Sequence, residues 1–159
     1  ATLSIWVDAD ACPGPIKTML FRAADRVGVD IVLVANHPLP TPRSRRVSFL
    51  QVAPGFDVAD NAIVERVSPG ELVITADIEL AAEVLAKGGA AINPRGEVYS
   101  AESIRGRQAQ REFMQTLRES GVATGGPPPL GPKDKQAFAS ALERWLNQYQ
   151  RQSGSENRR

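Results

Sequence analysis

At 159 residues, with 42% apolar and 23% charged residues, the chain fits one globular domain that buries a core without disulfide or metal staples. A formal net charge of +1 gives no global pull towards nucleic acid, so any such affinity must be local. The single cysteine, Cys12, excludes an internal disulfide and a cysteine-built zinc site, and the single histidine, His37, excludes a histidine-rich one; carboxylates remain, as ligands for hard ions such as Mg2+ or Mn2+.

The apolar run Leu3 to Val7 predicts a first strand from about Thr2, ending at Asp8 and Asp10. Pro13-Gly14-Pro15 opens a helix whose apolar members (Ile16, Met19, Leu20, Ala23, Ala24, Val27) run to a stop at Gly28. Ile31–Ala35 is a continuous apolar run, the pattern of a strand covered on both faces. A loop rich in proline and arginine follows, then a third strand, Val47–Val52. Asp57–Val67 has helical period, Leu72–Thr75 is a fourth strand, Asp77–Lys87 a helix, and Ala90–Ile92 a short fifth strand. Ser100 is placed to cap a helix to about Ser120, with Ile104, Phe113, Met114 and Leu117 as its docking face. Gly125 to Pro132 reads as a stiff connector. The last helix, from Asp134 to about Tyr149, carries Phe138, Leu142, Trp145, Leu146 and Tyr149 on one stripe that must pack on the domain or on a second copy, making a homodimer through the C-terminal helices one expectation.

Strands alternating with helices predict an α/β domain with a mostly parallel sheet of about five strands over residues 1–150, the first 99 carrying the acidic residues and 100–150 the C-terminal helices, with 151–159 as a frayed polar tail. No apolar run reaches bilayer length and the sequence opens on a strand rather than a signal peptide, so a cytoplasmic location and no membrane partner are expected.

Several aspartates fall at strand ends. If the fourth strand returns beside the first, a crevice opens between them at the switch point where such sheets bind ligands. Asp8 and Asp77 would border it, and Asp60, on the helix that Asp57 opens, could lean over it. Clustered carboxylates repel one another unless a cation sits among them. The competing reading makes Asp8 a turn residue and Asp10, Asp57 and Asp77 helix caps.

Val7-Asp8-Ala9-Asp10-Ala11-Cys12-Pro13, Asp57-Val58-Ala59-Asp60, Ile74-Thr75-Ala76-Asp77-Ile78 with Leu80-Ala81, Pro94-Arg95-Gly96, Gly125-Gly126-Pro127 and Phe138 together resemble the YaiI/YqxD family of uncharacterised bacterial proteins. That family is in turn similar to PIN/NYN metal-dependent nucleases, in which an aspartate ends the first strand, acidic residues come from the middle helix, and a Thr/Ser-x-Asp follows the fourth strand. Asp8, Asp60 and Thr75-Ala76-Asp77 match those places. The resemblance implies a PIN-like three-layer domain and Mg2+- or Mn2+-dependent phosphodiester hydrolysis, RNA more than DNA, with one or two ions. Asp8, Asp60 and Asp77 would be catalytic ligands, with Asp10 and Asp57 added directly or through water. Thr75 could orient Asp77 or a water, and Asn36 could reach the crevice. Arg43, Arg45, Arg46, Arg95, Arg105, Arg107 and Arg111 are the candidate phosphate contacts, against the commoner explanation of a solvated basic face. Cys12 reads as a small buried residue rather than a nucleophile.

Two other functions fit parts of this pattern. An Asp-x-Asp after a first strand resembles haloacid-dehalogenase-type phosphatases, with Asp8 as nucleophile; Cys12 and Pro13 depart from that family's pattern, and Asp57 and Asp60 would have no use. A nuclease-like fold that only binds RNA or protein is the other.

Overall fold

The computed structural model describes residues 3–55, 57–123 and 128–157. The elements are β1 (Ser4–Asp8), α1 (Gly14–Val27), β2 (Asp30–Ala35), β3 (Val47–Gln51), α2 (Val58–Arg66), β4 (Leu72–Ile74), α3 (Ile78–Ala86), β5 (Ala90–Ile92), α4 (Ala101–Glu119) and α5 (Pro132–Asn157). The five strands make one parallel sheet in the order β3-β2-β1-β4-β5. The chain winds outward from β1 to β3 and then returns to lay β4 on the other side of β1, so the reversal falls between β1 and β4 and the condition for a crevice between them is met.

The strands are apolar because both faces are covered. Ile5, Val7, Ile31, Leu33, Leu72 and Ile74 share one buried cluster with α1 residues Ile16 and Leu20 and α5 residues Phe138, Leu142 and Leu146. On the opposite face Val34, Val73 and Ala91 pack with Ile63 of α2, Leu80 and Val84 of α3, and Ile104 of α4. The result is three layers. The apolar stripe of α5 is therefore used on the chain's own sheet, which removes the reason for expecting it to face a second copy. Beyond Tyr149 the helix runs on to Asn157.

Helix α4 departs from expectation in its second half. Ser100 caps it in a reciprocal box with Ser103, and Ile104 is buried, but Phe113 is 61% exposed and Met114 and Leu117 are only half-buried. The helix outruns α3, its neighbour, so its last two turns have no core beneath them. The Gly125-Gly126-Pro127 part of the expected connector lies outside the described residues.

Two polar devices fix the ends of the sheet. At the amino edge, buried Glu71 accepts from Ser4 N (2.7 Å), Ser68 N (2.7 Å) and Trp6 Nε1 (3.1 Å), holding the start of β1 beside β4. At the carboxyl edge, Gly96 has φ +92°, and a Cβ there would lie 2.4 Å from the carbonyl carbon of Ala137 and 2.5 Å from Phe138 N. Only glycine lets the β5–α4 turn approach α5 this closely. Next to it, Arg95 Nη1 donates to Asp134 Oδ2 (2.9 Å) and Nη2 to the Pro128 carbonyl, while the same Asp134 oxygen accepts from Gly131 N (2.9 Å). The Pro94-Arg95-Gly96 motif is thus the clasp that holds the start of α5. Among the described residues, no helix is long and apolar enough to cross a membrane.

Candidate metal centre at the carboxyl edge

Parallel register sets the site. Val7 pairs with Ile74, so the next residues, Asp8 at the end of β1 and Thr75 just beyond β4, stand side by side. Thr75, 1% exposed, donates from Oγ1 to Asp8 Oδ2 (3.1 Å) and accepts from Asp77 N (3.0 Å). Asp77 Oδ1 accepts from Leu80 N (3.1 Å) and so caps α3. A single Thr75 hydroxyl therefore fixes the Asp8 side chain and the Asp77 backbone together. Asp57 stands at the start of α2 in the left-handed region (φ 62°, ψ 7°) and makes no side-chain cap, so the capping reading fails for it. It is the one non-glycine residue with positive φ among those described, a strained conformation that costs about 1–2 kcal/mol. From this position, carboxylate oxygens of Asp57, Asp60 and Asp77 lie within 4.8 Å of one another.

The electrostatics follow from this crowding. Burial, then the hydrogen bond and charge of Asp77, and then the charges of Asp8 and Asp57 push the Asp60 carboxyl up to about 7. Burial raises Asp8 as well, opposed by the Thr75 hydrogen bond and reinforced by Asp77 and Asp10. The donor set is all oxygen, drawn from two helix starts and a strand end, and mutually repulsive, which fits a hard divalent cation. Asp57, Asp60 and Asp77 could hold one ion; Asp8 adjoins them without belonging to the closest set.

The shift on Asp60 has a thermodynamic sign. Its folded value near 7 exceeds the ordinary 3.8, so the folded chain holds a proton that the unfolded chain releases, and stability is lost as pH rises through about 7. Solvent screening at this half-exposed side chain reduces the effect to roughly 1 kcal/mol. Asp60→Asn is therefore expected to raise the melting temperature by about 2–4 °C at pH 8.5 in EDTA and to change it little near pH 4. A thermal melt showing no pH dependence in that difference would contradict the crowded cluster.

Asp10 goes elsewhere. It lies in a 3-10 turn (Ala9–Ala11), while α1 is entered through Pro13 with no side-chain cap, so it does not cap that helix. Its Oδ2 accepts from Asn36 N (2.9 Å) and its Oδ1 meets His37 Nδ1 (2.9 Å). It ties down the β2–β3 loop rather than joining the three clustered carboxylates. Asn36 contributes its backbone to Asp10 and its Oδ1 to His37 Nδ1 (3.0 Å). Cys12 is buried and its thiol is pushed up to about 12 by that burial, which leaves it protonated and inert.

The arginines divide by edge. Arg46 pairs with Asp30 (3.2 Å) where β2 and β3 begin, and Ser44, between Arg43 and Arg45, reaches Asp25 near the end of α1. These three therefore stand at the amino edge, away from the acidic cluster. Arg111 pairs with Glu79, the second residue of α3, and its hydrogen bond pulls that carboxyl down to about 2. Arg107 pairs with Glu97, and Arg95 is the clasp residue described above. Arg105 is exposed on α4.

Between these groups lies a cleft of about 400 Å³ that sequence reasoning does not find. Its walls come from Ala11 and Pro13, from Ala76 and Ile78 on either side of Asp77, from Asn93 to Arg95 with Tyr99 and Arg107, and from Leu130 ahead of α5. Burial raises the Tyr99 hydroxyl above its usual range, opposed by a hydrogen bond with Asn93.

Comparison with known proteins adds the family. Residues 6–148 match the profile described as "Uncharacterized BCR, YaiI/YqxD family". A UPF0178 protein of Alkalilimnicola ehrlichii is 62% identical over 91% of this chain and 97% of its own length. UPF0178 proteins of Klebsiella pneumoniae and Yersinia enterocolitica are each 60% identical, over 96% and 92% of this chain and 100% and 96% of theirs. No solved structure matches the chain. With nearly its whole length matched both by the profile and by relatives at about 60% identity, the chain belongs to the YaiI/YqxD family.

Proposed function

We propose that this protein is a divalent-metal-dependent phosphodiesterase acting on nucleic acid, RNA more than DNA. The observation that carries the reading is the convergence of Asp57, Asp60 and Asp77 within 4.8 Å at the switch point of a parallel sheet, with Asp8 beside them. The similarity of Asp8, Asp60 and Thr75-Ala76-Asp77 to the PIN/NYN pattern supports it. A bound Mg2+ or Mn2+ would supply an activated water and neutralise charge on the phosphoryl oxygens. Asp57, Asp60 and Asp77 would hold the ion. Asp8, fixed by Thr75, would orient a water or help hold a second ion. Arg111, on the helix beside the site, would draw the phosphate backbone in.

A crystal soaked in Mn2+ tests the centre directly. Anomalous density is expected among Asp57, Asp60 and Asp77 at oxygen distances of about 2.0–2.3 Å. No Mn2+ binding at millimolar concentration would reject the catalytic reading. Binding without cleavage of RNA or DNA would leave a binding module, and a beryllium fluoride adduct on Asp8 would make the protein a phosphatase instead.

A further inference from the structure

We propose that the cleft beside the acidic cluster receives one unstacked base of a single-stranded nucleic acid, next to the phosphate on which the carboxylates act; this rests on the phosphodiesterase reading above. A volume of about 400 Å³ is at the small end of ligand pockets, which run from about 300 to 1,000 Å³. It takes a base with its sugar and cannot admit a duplex. Placement next to the chemistry follows from the chain, since Ala76 and Ile78 line the cleft and flank Asp77 directly. The clustered carboxylates are not themselves among the lining residues, so the cleft adjoins the cluster through the Ala76-Asp77-Ile78 segment.

The lining suits a flat, polar-edged ring better than a peptide or an aliphatic chain. Pro13, Ile78 and Leu130 give apolar surface from three separate segments, and Tyr99 and Asn93 add polar atoms at the end of β5. Arg107 is held flat by Glu97, which engages Nε (3.2 Å) and Nη2 and leaves the Nη1 edge on the far side. A guanidinium fixed in this way is suited to stacking on a base or bonding its edge. Single-strand readers combine such a platform with a cationic backbone track, and each stacked base is worth about tenfold or more in affinity.

The test compares a fluorescent hexauridylate, an abasic hexamer of the same sugar-phosphate backbone, and a blunt duplex, by anisotropy in Ca2+, with Mn2+-dependent cleavage measured in parallel. Wild type is expected to bind the base-bearing strand about tenfold more tightly than the other two. Leu130→Trp, which fills the cleft from the segment ahead of α5, should abolish that preference; Ala11→Phe fills it from the opposite wall if the first variant does not fold. Equal affinity for base-bearing and abasic strands, or a preference that survives a folded cleft-filling variant, overturns the inference whether or not cleavage is seen. Base-dependent binding that the filling variant removes, with no cleavage by wild type in Mn2+, upholds the base site and overturns the phosphodiesterase reading alone.

Discussion

Asp77→Asn is expected to lower Mn2+-dependent cleavage by about a hundredfold to a thousandfold while moving the melting temperature by no more than about 2 °C. The variant separates two roles that one side chain plays. Asp77 caps α3 through Leu80 N, and it also lies in the closest set of carboxylates. Asparagine keeps an oxygen for the cap and is as good an N-cap as aspartate, but it brings no charge to the cluster. Asp77→Ala removes both and should cost a further ~1 kcal/mol of stability. Kinetics and melts on the two variants side by side distinguish catalytic from structural loss. If Asp77→Asn cleaves like wild type, the clustered carboxylates are not the catalytic centre. Loss of the Asp77 charge should also bring the Asp60 carboxyl down, since Asp77 supplies the largest contributions after burial.

Gly96→Ala is expected to destabilise the protein by about 3 kcal/mol or more, lowering the melting temperature by roughly 10 °C. Two costs add: a side chain at φ +92°, and a Cβ driven to 2.4 Å from the backbone of Ala137. Backbone cannot rotate aside as a side chain can, so the turn and α5 must part. Arg95 and Asp134 would be drawn apart with them, and Leu130 would leave the cleft wall. Hydrogen exchange should therefore show the first turns of α5 losing protection while β1 and β2 keep theirs. A variant with wild-type stability would show that the close approach of Gly96 to α5 does not exist.

What the sequence reveals here depends on distance along the chain. The strands were legible because apolar runs mark them and proline and glycine separate them, and right-handed crossovers leave few arrangements, among which no local pattern chooses. Asp77 was legible both as a cap and as a member of the acidic group, since a strand end and a helix start meet there. Asp10 was not, because its partners Asn36 and His37 lie on a loop whose path no local pattern encodes. Arg43, Arg45 and Arg46 follow β2 in sequence, which suggests the carboxyl edge. Yet β3 is parallel to β2, so the loop must cross the full height of the sheet, and its last residues arrive at the amino edge. Phe113 and Leu117 have the spacing of a docking face but sit beyond the reach of α3. The cleft was illegible for a plainer reason: Pro13, Tyr99 and Leu130 are distant in sequence and meet only when the clasp is closed.

The position of α5 has a consequence for how the protein is made. All five strands and all the clustered aspartates precede it in sequence, yet Phe138, Leu142, Trp145 and Leu146 complete, beside α1, the cover of one face of the sheet. Synthesis runs from the N-terminus at about 5–20 residues per second, so the ribosome releases this cover only after every strand. Until then, Leu72, Ile74 and Ile92 have only α1 for shelter on that side. A nascent chain stalled before Pro132 would carry its acidic residues complete but its apolar face open, a form suited to capture by chaperones rather than to independent activity.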